Sequence, residues 1–153
     1  MSDWKKTLKE LDCGQVRWEE PLAGHTTFRI GGPCEAMVLP QTMAQAEMIL
    51  TQERQFDVPV CVLGGGSNIL ADDAGMRGLV IKLGGQLKGL TVAGTSLQAE
   101  AGLPLPVLAR RAAEAGLAGL AFAAGIPGTV GGAVVMNAGA HGGQMSDIIQ
   151  SVT

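Results

Sequence analysis

Residues 124–147, AGIPGTVGGAVVMNAGAHGGQMSD, constrain what this chain can fold into more than any other stretch. Seven glycines fall in nineteen residues, 125–143, interleaved with Ile126, Val130, Val134, Val135 and Met136. A plain solvated loop would be polar. Glycine also permits backbone conformations and close approaches that a β-carbon forbids. Apolar and glycine-rich together is the pattern of main chain lying flat against a large, mostly apolar ligand, or packing tightly on another part of the protein. Pro127 fixes one φ and removes a donor, so Ile126-Pro127-Gly128 is expected to form a stiff corner. Thr129 is placed to open a short helix, with its hydroxyl and the following N–H groups facing an anion.

A second glycine cluster, LGGGSNIL at 63–70, follows a nearly continuous apolar run, residues 58–63. Three successive glycines let neighbouring backbone N–H groups converge on one point, and such a nest holds phosphate oxygens without a cationic side chain. Ser67 and Asn68 add side-chain donors. The spacing fits neither the P-loop nor the dinucleotide fingerprint, because Gly66 is followed by Ser-Asn-Ile. A tight glycine turn leaving a strand remains the alternative at this point.

The rest of the chain reads as mixed helix and strand. Residues 2–11 predict a short amphipathic helix capped by Ser2, with Trp4, Leu8 and Leu11 on one face. Residues 25–33, HTTFRIGGP, are β-prone until two glycines and a proline break them. Residues 34–40 predict a strand. Thr42 then caps a helix over 42–56 with Met43, Ala46, Ile49, Leu50 and Phe56 at helical spacing. Residues 58–66 predict a strand covered on both faces, so that 34–66 form a β–α–β unit. Residues 78–83 are a further strand and 84–89 a turn-rich junction. A hairpin turned at Gly94-Thr95 and a helix over 105–116, ending at Gly116, follow. The expected class is α+β, in two small α/β lobes: an N-terminal segment, 1–20, a first lobe, 21–86, and a second, 87–153.

With 153 residues and 46% apolar content, a core needs no metal or disulfide staple. The net charge of −3 includes no basic run, and aromatics are only 3%, which argues against a nucleic-acid groove or an anionic membrane surface. Cys13, Cys34 and Cys61 are widely spaced, and neither His25 nor His141 stands at ligand spacing to them, so no metal site is expected. No apolar stretch is long enough to span a bilayer and the N-terminus lacks a leader's apolar region, so a cytoplasmic protein is expected.

TFRIGGP, VLGGGSNIL and GLAGLAFAAGIPGTVGGAVVMNAGAHGG, in that order and spacing, resemble the UDP-N-acetylenolpyruvoylglucosamine reductase family, from about residue 20 onward. AGIPGTVGGA followed by MNAGA is the most particular of these. The family belongs to the vanillyl-alcohol-oxidase (PCMH-type) group, whose fold holds FAD between two α+β lobes. The resemblance implies that Gly64, Gly65, Gly66, Ser67 and Asn68 cradle the FAD pyrophosphate. It implies that Gly125, Ile126, Gly128, Thr129, Gly131 and Gly132 line the dinucleotide, and that Asn137, Ala138 and Gly139 continue that wall.

The implied reaction is a step of peptidoglycan synthesis, serving cell-wall biogenesis and cell shape. NADPH gives hydride to the flavin, which reduces the enolpyruvyl group of a UDP-sugar to UDP-N-acetylmuramate. Such chemistry needs a cation to stabilise an enolate and an acid to quench it. The family's Arg, Ser and Glu for these tasks match no motif here and are expected beyond Thr153, with the substrate domain. No catalytic residue is assigned, and the isolated chain is expected to be inactive or nearly so. Arg29, Arg77, Arg110 and Arg111 stand in the wrong segments, and Ser146 with Asp147 reads as a solvated helix cap. His25 stands where the family usually has Asn, and His141 where it often has Tyr. Another FAD-dependent oxidoreductase of this fold, or a non-catalytic flavin- or nucleotide-binding module, are the other readings.

Overall fold

The computed structural model describes residues 3–85 and 87–153. Helix α1 (Asp3–Glu10) buries Trp4 and Leu8; its expected cap, Ser2, lies outside the described residues. Strand β1 (Gln15–Pro21) pairs antiparallel with β2 (Pro33–Leu39), placing Val16 opposite Val38 and Trp18 opposite Ala36. Between them the β-prone segment 25–33 is not a strand until Pro33. A 3-10 turn, Leu22–His25, leads into an irregular loop. The reason is local. Gly31 and Gly32 accept from the amides of Ala23 and Leu22, the Gly32 amide donates to the Asp72 carbonyl at 2.8 Å, and Arg29 and Gly31 take positive φ. Main chain engaged in those bonds has no ladder to join.

Helix α2 (Met43–Gln52) begins as expected, with Thr42 Oγ1 accepting from the Gln45 amide at 3.2 Å. Its buried stripe is narrower than the spacing implied: Ala46 and Ile49 are covered, while Met43 and Leu50 are exposed. The sheet closes with β3 (Val60–Leu63) and β4 (Met76–Lys82), both parallel partners, in the order β1-β2-β4-β3. The later strand therefore takes the centre and β3 the edge. This corrects the expectation of a strand covered on both faces, for Val62 is 49% exposed. Trp4, Leu8, Ile49 and Phe56 cover one side of the sheet over Ala36, Val38, Leu79 and Ile81. Leu22 and Ala71 close the other over Met37, Leu63 and Val80.

The β2–β4 register slips once: Cys34 faces Met76, yet Ala36 faces Leu79. Gly78 sits in that irregularity at φ +98, and a β-carbon there would strike the Pro59 carbonyl oxygen. Glu35 holds the extra residue of the bulge, its Oε2 accepting from the Gly78 amide at 2.6 Å and its Oε1 from Lys5 Nζ at 3.0 Å. Both bonds, Lys5 first, draw the Glu35 carboxyl below its usual pKa.

The second lobe carries the hairpin β5 (Leu90–Ala93) and β6 (Ser96–Ala99), then α3 (Leu105–Glu114). Helix α3 stops at a positive-φ Gly116, with the Leu117 amide returned to the Ala112 carbonyl at 2.8 Å. A 3-10 turn, Ala121–Gly125, precedes α4 (Val130–Val135), the two-residue strands β7 (Gly139–Ala140) and β8 (Gly143–Gln144), and a last 3-10 turn, Met145–Asp147. Leu105, Leu108, Ala112, Phe122, Val130 and Met145 form its core. The architecture is α+β, and among the described residues no helix is long and apolar enough to cross a membrane.

Candidate cofactor-binding site

The loop leaving β3 and the corner before α4 pack against each other. Thr129, 5% exposed, turns its hydroxyl into the space a β-carbon on Gly64 would need. A β-carbon on Gly65 would lie 3.1 Å from the Gly128 Cα. Ser67 Oγ donates to the Pro127 carbonyl at 3.1 Å, and Gly128 takes φ +116 beside that hydroxyl. Only glycine allows two backbones to approach so closely. Thr129 does open α4, its Oγ1 accepting from the Gly132 amide at 3.4 Å. The helix has only six residues, so what it offers is a cap and a fixed corner.

Gly66 takes φ +69, and a β-carbon there would run into the His25 carbonyl oxygen. Its own carbonyl accepts from the Thr27 amide at 3.1 Å and from Thr27 Oγ1 at 3.4 Å. The Gly64 carbonyl accepts from Lys82 Nζ at 3.1 Å. A trans peptide aims its C=O and the next N–H in opposite directions. Anchoring the Gly64 and Gly66 carbonyls thus turns the Gly65 and Ser67 N–H groups the other way. Among the described residues, the amides of Gly64, Gly65, Gly66, Ser67 and Asn68 donate to no protein acceptor. Five successive unpaired donors need water or an anion, and a diphosphate's oxygens are the acceptors that such a cluster suits. The residues present fit the phosphate end of a dinucleotide.

The remaining expected residues divide. Gly131 packs on Ala101, where a β-carbon would approach Ala101 Cβ to 2.8 Å, and its amide bonds the Ala101 carbonyl. Its glycine thus serves packing within the second lobe. Gly125 and Gly132 are exposed and Ile126 is half-buried against the second-lobe core. Asn137, Ala138 and Gly139 build a hairpin. Asn137, at φ 44, accepts from the Ser146 amide at 2.9 Å and donates to Gln144 Oε1 at 3.0 Å. The Ala138 carbonyl accepts from Met145, and a β-carbon on Gly139 would stand 2.7 Å from the Gly143 carbonyl oxygen. The Asn137 side chain is thus committed to its own hairpin. Beyond it, Val135 and Met136 are 83% and 59% exposed, an apolar surface at the end of α4.

His25 contributes main chain to the loop, while its ring holds Glu20 Oε1 at 2.8 Å and lowers that carboxyl's pKa. His141 lies exposed in the β7–β8 turn at φ 53. Asp147 accepts from the Gln144 amide at 3.0 Å, the capping role expected of that segment. Sequence reasoning missed Thr27, Lys82 and Gly84, the last of which also packs close on the Gly64 carbonyl. For Lys82 a signal exists: one lysine closing an otherwise apolar strand, GLVIKL.

Residues 34–153 match the family described as FAD binding domain. The UDP-N-acetylenolpyruvoylglucosamine reductase of Bacillus subtilis is 48% identical over 142 residues, which cover 93% of this chain and 47% of that protein. That of Syntrophomonas wolfei is 46% identical over 138 residues, 90% of this chain and 46% of that protein. The crystal structure of UDP-N-acetylenolpyruvylglucosamine reductase from Thermus caldophilus superposes with a TM-score of 0.68 at 38% identity, covering 87% of this chain and 45% of that one. The chain spans about half the length of the relatives it matches.

Proposed function

The chain belongs to the FAD binding domain family, and we propose that it is the FAD-holding part of a UDP-N-acetylenolpyruvoylglucosamine reductase. The observation that carries the reading is the row of unpaired amides at 64–68 locked against the 127–129 corner. In this reading Gly64, Gly65, Gly66, Ser67 and Asn68 receive the diphosphate, while Gly125, Ile126, Gly128, Thr129 and Gly132 shape the adjoining wall. Gly131, Asn137, Ala138 and Gly139 support that wall from behind. Residues 21–86 and 87–153 act as the two lobes; Gln86, at their boundary, lies outside the described residues.

Bound there, FAD would supply the hydride-transfer chemistry by which NADPH reduces the enolpyruvyl double bond of a UDP-sugar to UDP-N-acetylmuramate. This chain's residues bind and orient the cofactor, and none is assigned a catalytic role. A nicotinamide donor and a nucleotide-sugar acceptor place the protein in the cytoplasm, in cell-wall and cell-shape maintenance.

The test is titration of the purified chain with FAD, followed by flavin fluorescence. Saturable binding is expected, and Gly65→Asp, which sets a carboxylate among the amides, is expected to abolish it, since an unpaired charge in such a place costs several kcal/mol. Equal binding by both proteins defeats the assignment.

A further inference from the structure

We infer that Lys82 is a positioning residue for the diphosphate-binding amides, holding the Gly64 carbonyl inward so that the Gly65 N–H faces the ligand. The inference rests on the FAD-binding reading above and extends it to a residue outside both glycine motifs.

The geometry begins in the sheet. Lys82 ends β4 opposite Leu63, the last residue of β3, and the Leu83 amide bonds the Leu63 carbonyl at 2.9 Å. The strand pair thus delivers the Lys82 side chain to the first residue of the loop, where Nζ meets the Gly64 oxygen at 3.1 Å. Gly84 stands close on the same oxygen: a β-carbon there would lie 2.9 Å away. Lysine and glycine together fix one face of the Gly64–Gly65 peptide plane. Planarity then sets the direction of the Gly65 donor on the opposite side. An ammonium on the carbonyl also polarises the peptide, strengthening its N–H as a donor.

The charge balance points the same way. Lys82 is half-buried, and burial pulls its pKa below the ordinary lysine value. Among the described residues no carboxylate pairs with it. Partly desolvated charge with no counter-ion is unfavourable unless an anion completes the environment, and a diphosphate one peptide unit away supplies one. By contrast, Lys5, Arg17, Arg110 and Arg111 each face a glutamate.

The experiment compares wild type, Lys82→Met and Lys82→Arg by FAD titration at several salt concentrations, with the melting temperature of each apoprotein as control. Lys82→Met keeps the stem and removes the charge. Its FAD affinity is expected to fall about tenfold or more, with a shallower salt dependence, while apoprotein melting stays close to wild type. Lys82→Arg is expected to restore most of the affinity and the salt slope. Wild-type affinity in Lys82→Met overturns the inference and leaves the FAD reading standing. So does an equal loss in both variants with the salt slope unchanged, which marks a packing role. Absence of FAD binding by wild type removes the proposed function and this inference together.

Discussion

The Thr129 hydroxyl fills the volume that a methyl group on Gly64 would take. Each residue therefore limits the other, and the limit is measurable. Gly64→Ala is expected to destabilise the chain by about 1–3 kcal/mol through overpacking, and Thr129→Ala by about 1 kcal/mol through the lost helix cap. In the double variant the new methyl group has room. The combined loss is then expected to fall short of the sum by about 0.5 kcal/mol or more in a denaturation cycle. Strict additivity refutes the contact.

Glu35 secures the irregularity at Gly78. A hydrogen bond to a charged group adds roughly 1.5–3 kcal/mol when buried. With Glu35 partly exposed, solvent screening brings the loss expected for Glu35→Ala to about 1–2 kcal/mol, read from urea denaturation at neutral pH. An unchanged midpoint contradicts the role given to this carboxylate.

The same carboxylate sets an acid limit. Lys5 and the Gly78 amide hold the folded-state pKa of Glu35 below the ordinary 4.5, and His25 does likewise for Glu20. For a depressed pKa the stabilisation is whole above the unfolded value and disappears as pH falls through the folded one. Stability is therefore expected to drop below pH 4.5. Glu35→Gln should flatten that limb; an acid profile identical to wild type removes Glu35 from the explanation.

Burial separates the three thiols. Cys34 is covered, with its pKa pushed up to about 11 by desolvation, and Cys13 is covered with its pKa raised. Cys61 is half-exposed. A thiol reagent at neutral pH is expected to modify Cys61 alone in the native state and all three only after unfolding. Because Cys34 keeps its proton when folded beyond the pH at which an unfolded thiol loses it, stability should also decline between about pH 9 and 11. Native-state mass spectrometry showing early Cys34 labelling contradicts this ordering.

Asn137 holds the β7–β8 hairpin by two side-chain bonds from a left-handed backbone. Asn137→Ala loses the bonds and strains φ, with about 1–2 kcal/mol expected. Asn137→Gly relieves the φ strain and should cost less. Melting in which alanine matches or exceeds glycine at this position rules out the backbone part of the argument.

How far the sequence could be read depended on whether a signal was local. Thr42 and Thr129 were legible as caps because a cap needs only its own N–H neighbours. The Ile126-Pro127-Gly128 corner and the 94–95 hairpin were legible for the same reason. The β3 run misled, since Val60, Cys61 and Val62 look equally apolar whether a strand is central or at an edge. What decides that is β4, further along the chain, inserting beside β2. Residues 25–33 misled too, because their β preference yields to bonds that Gly31 and Gly32 make with Leu22, Ala23 and Asp72. At the site, the glycines announced close approach but not to what: Gly131 packs on Ala101, and the Asn137 side chain bonds within its hairpin. Lys82 and Thr27 act through carbonyls far away in sequence; the lone lysine of GLVIKL marks a residue of interest, but its partner is set only by the fold.

The strand order has a consequence for biosynthesis. As the polypeptide emerges from the ribosome, residues 60–63 appear before the strand that will fix them, and the triple-glycine turn waits longer still for Thr129. Until both arrive, that turn lacks the Gly128 and Thr129 contacts that pack it in the folded chain. Under the proposed FAD reading, cofactor capture then follows closure of the sheet rather than guiding it.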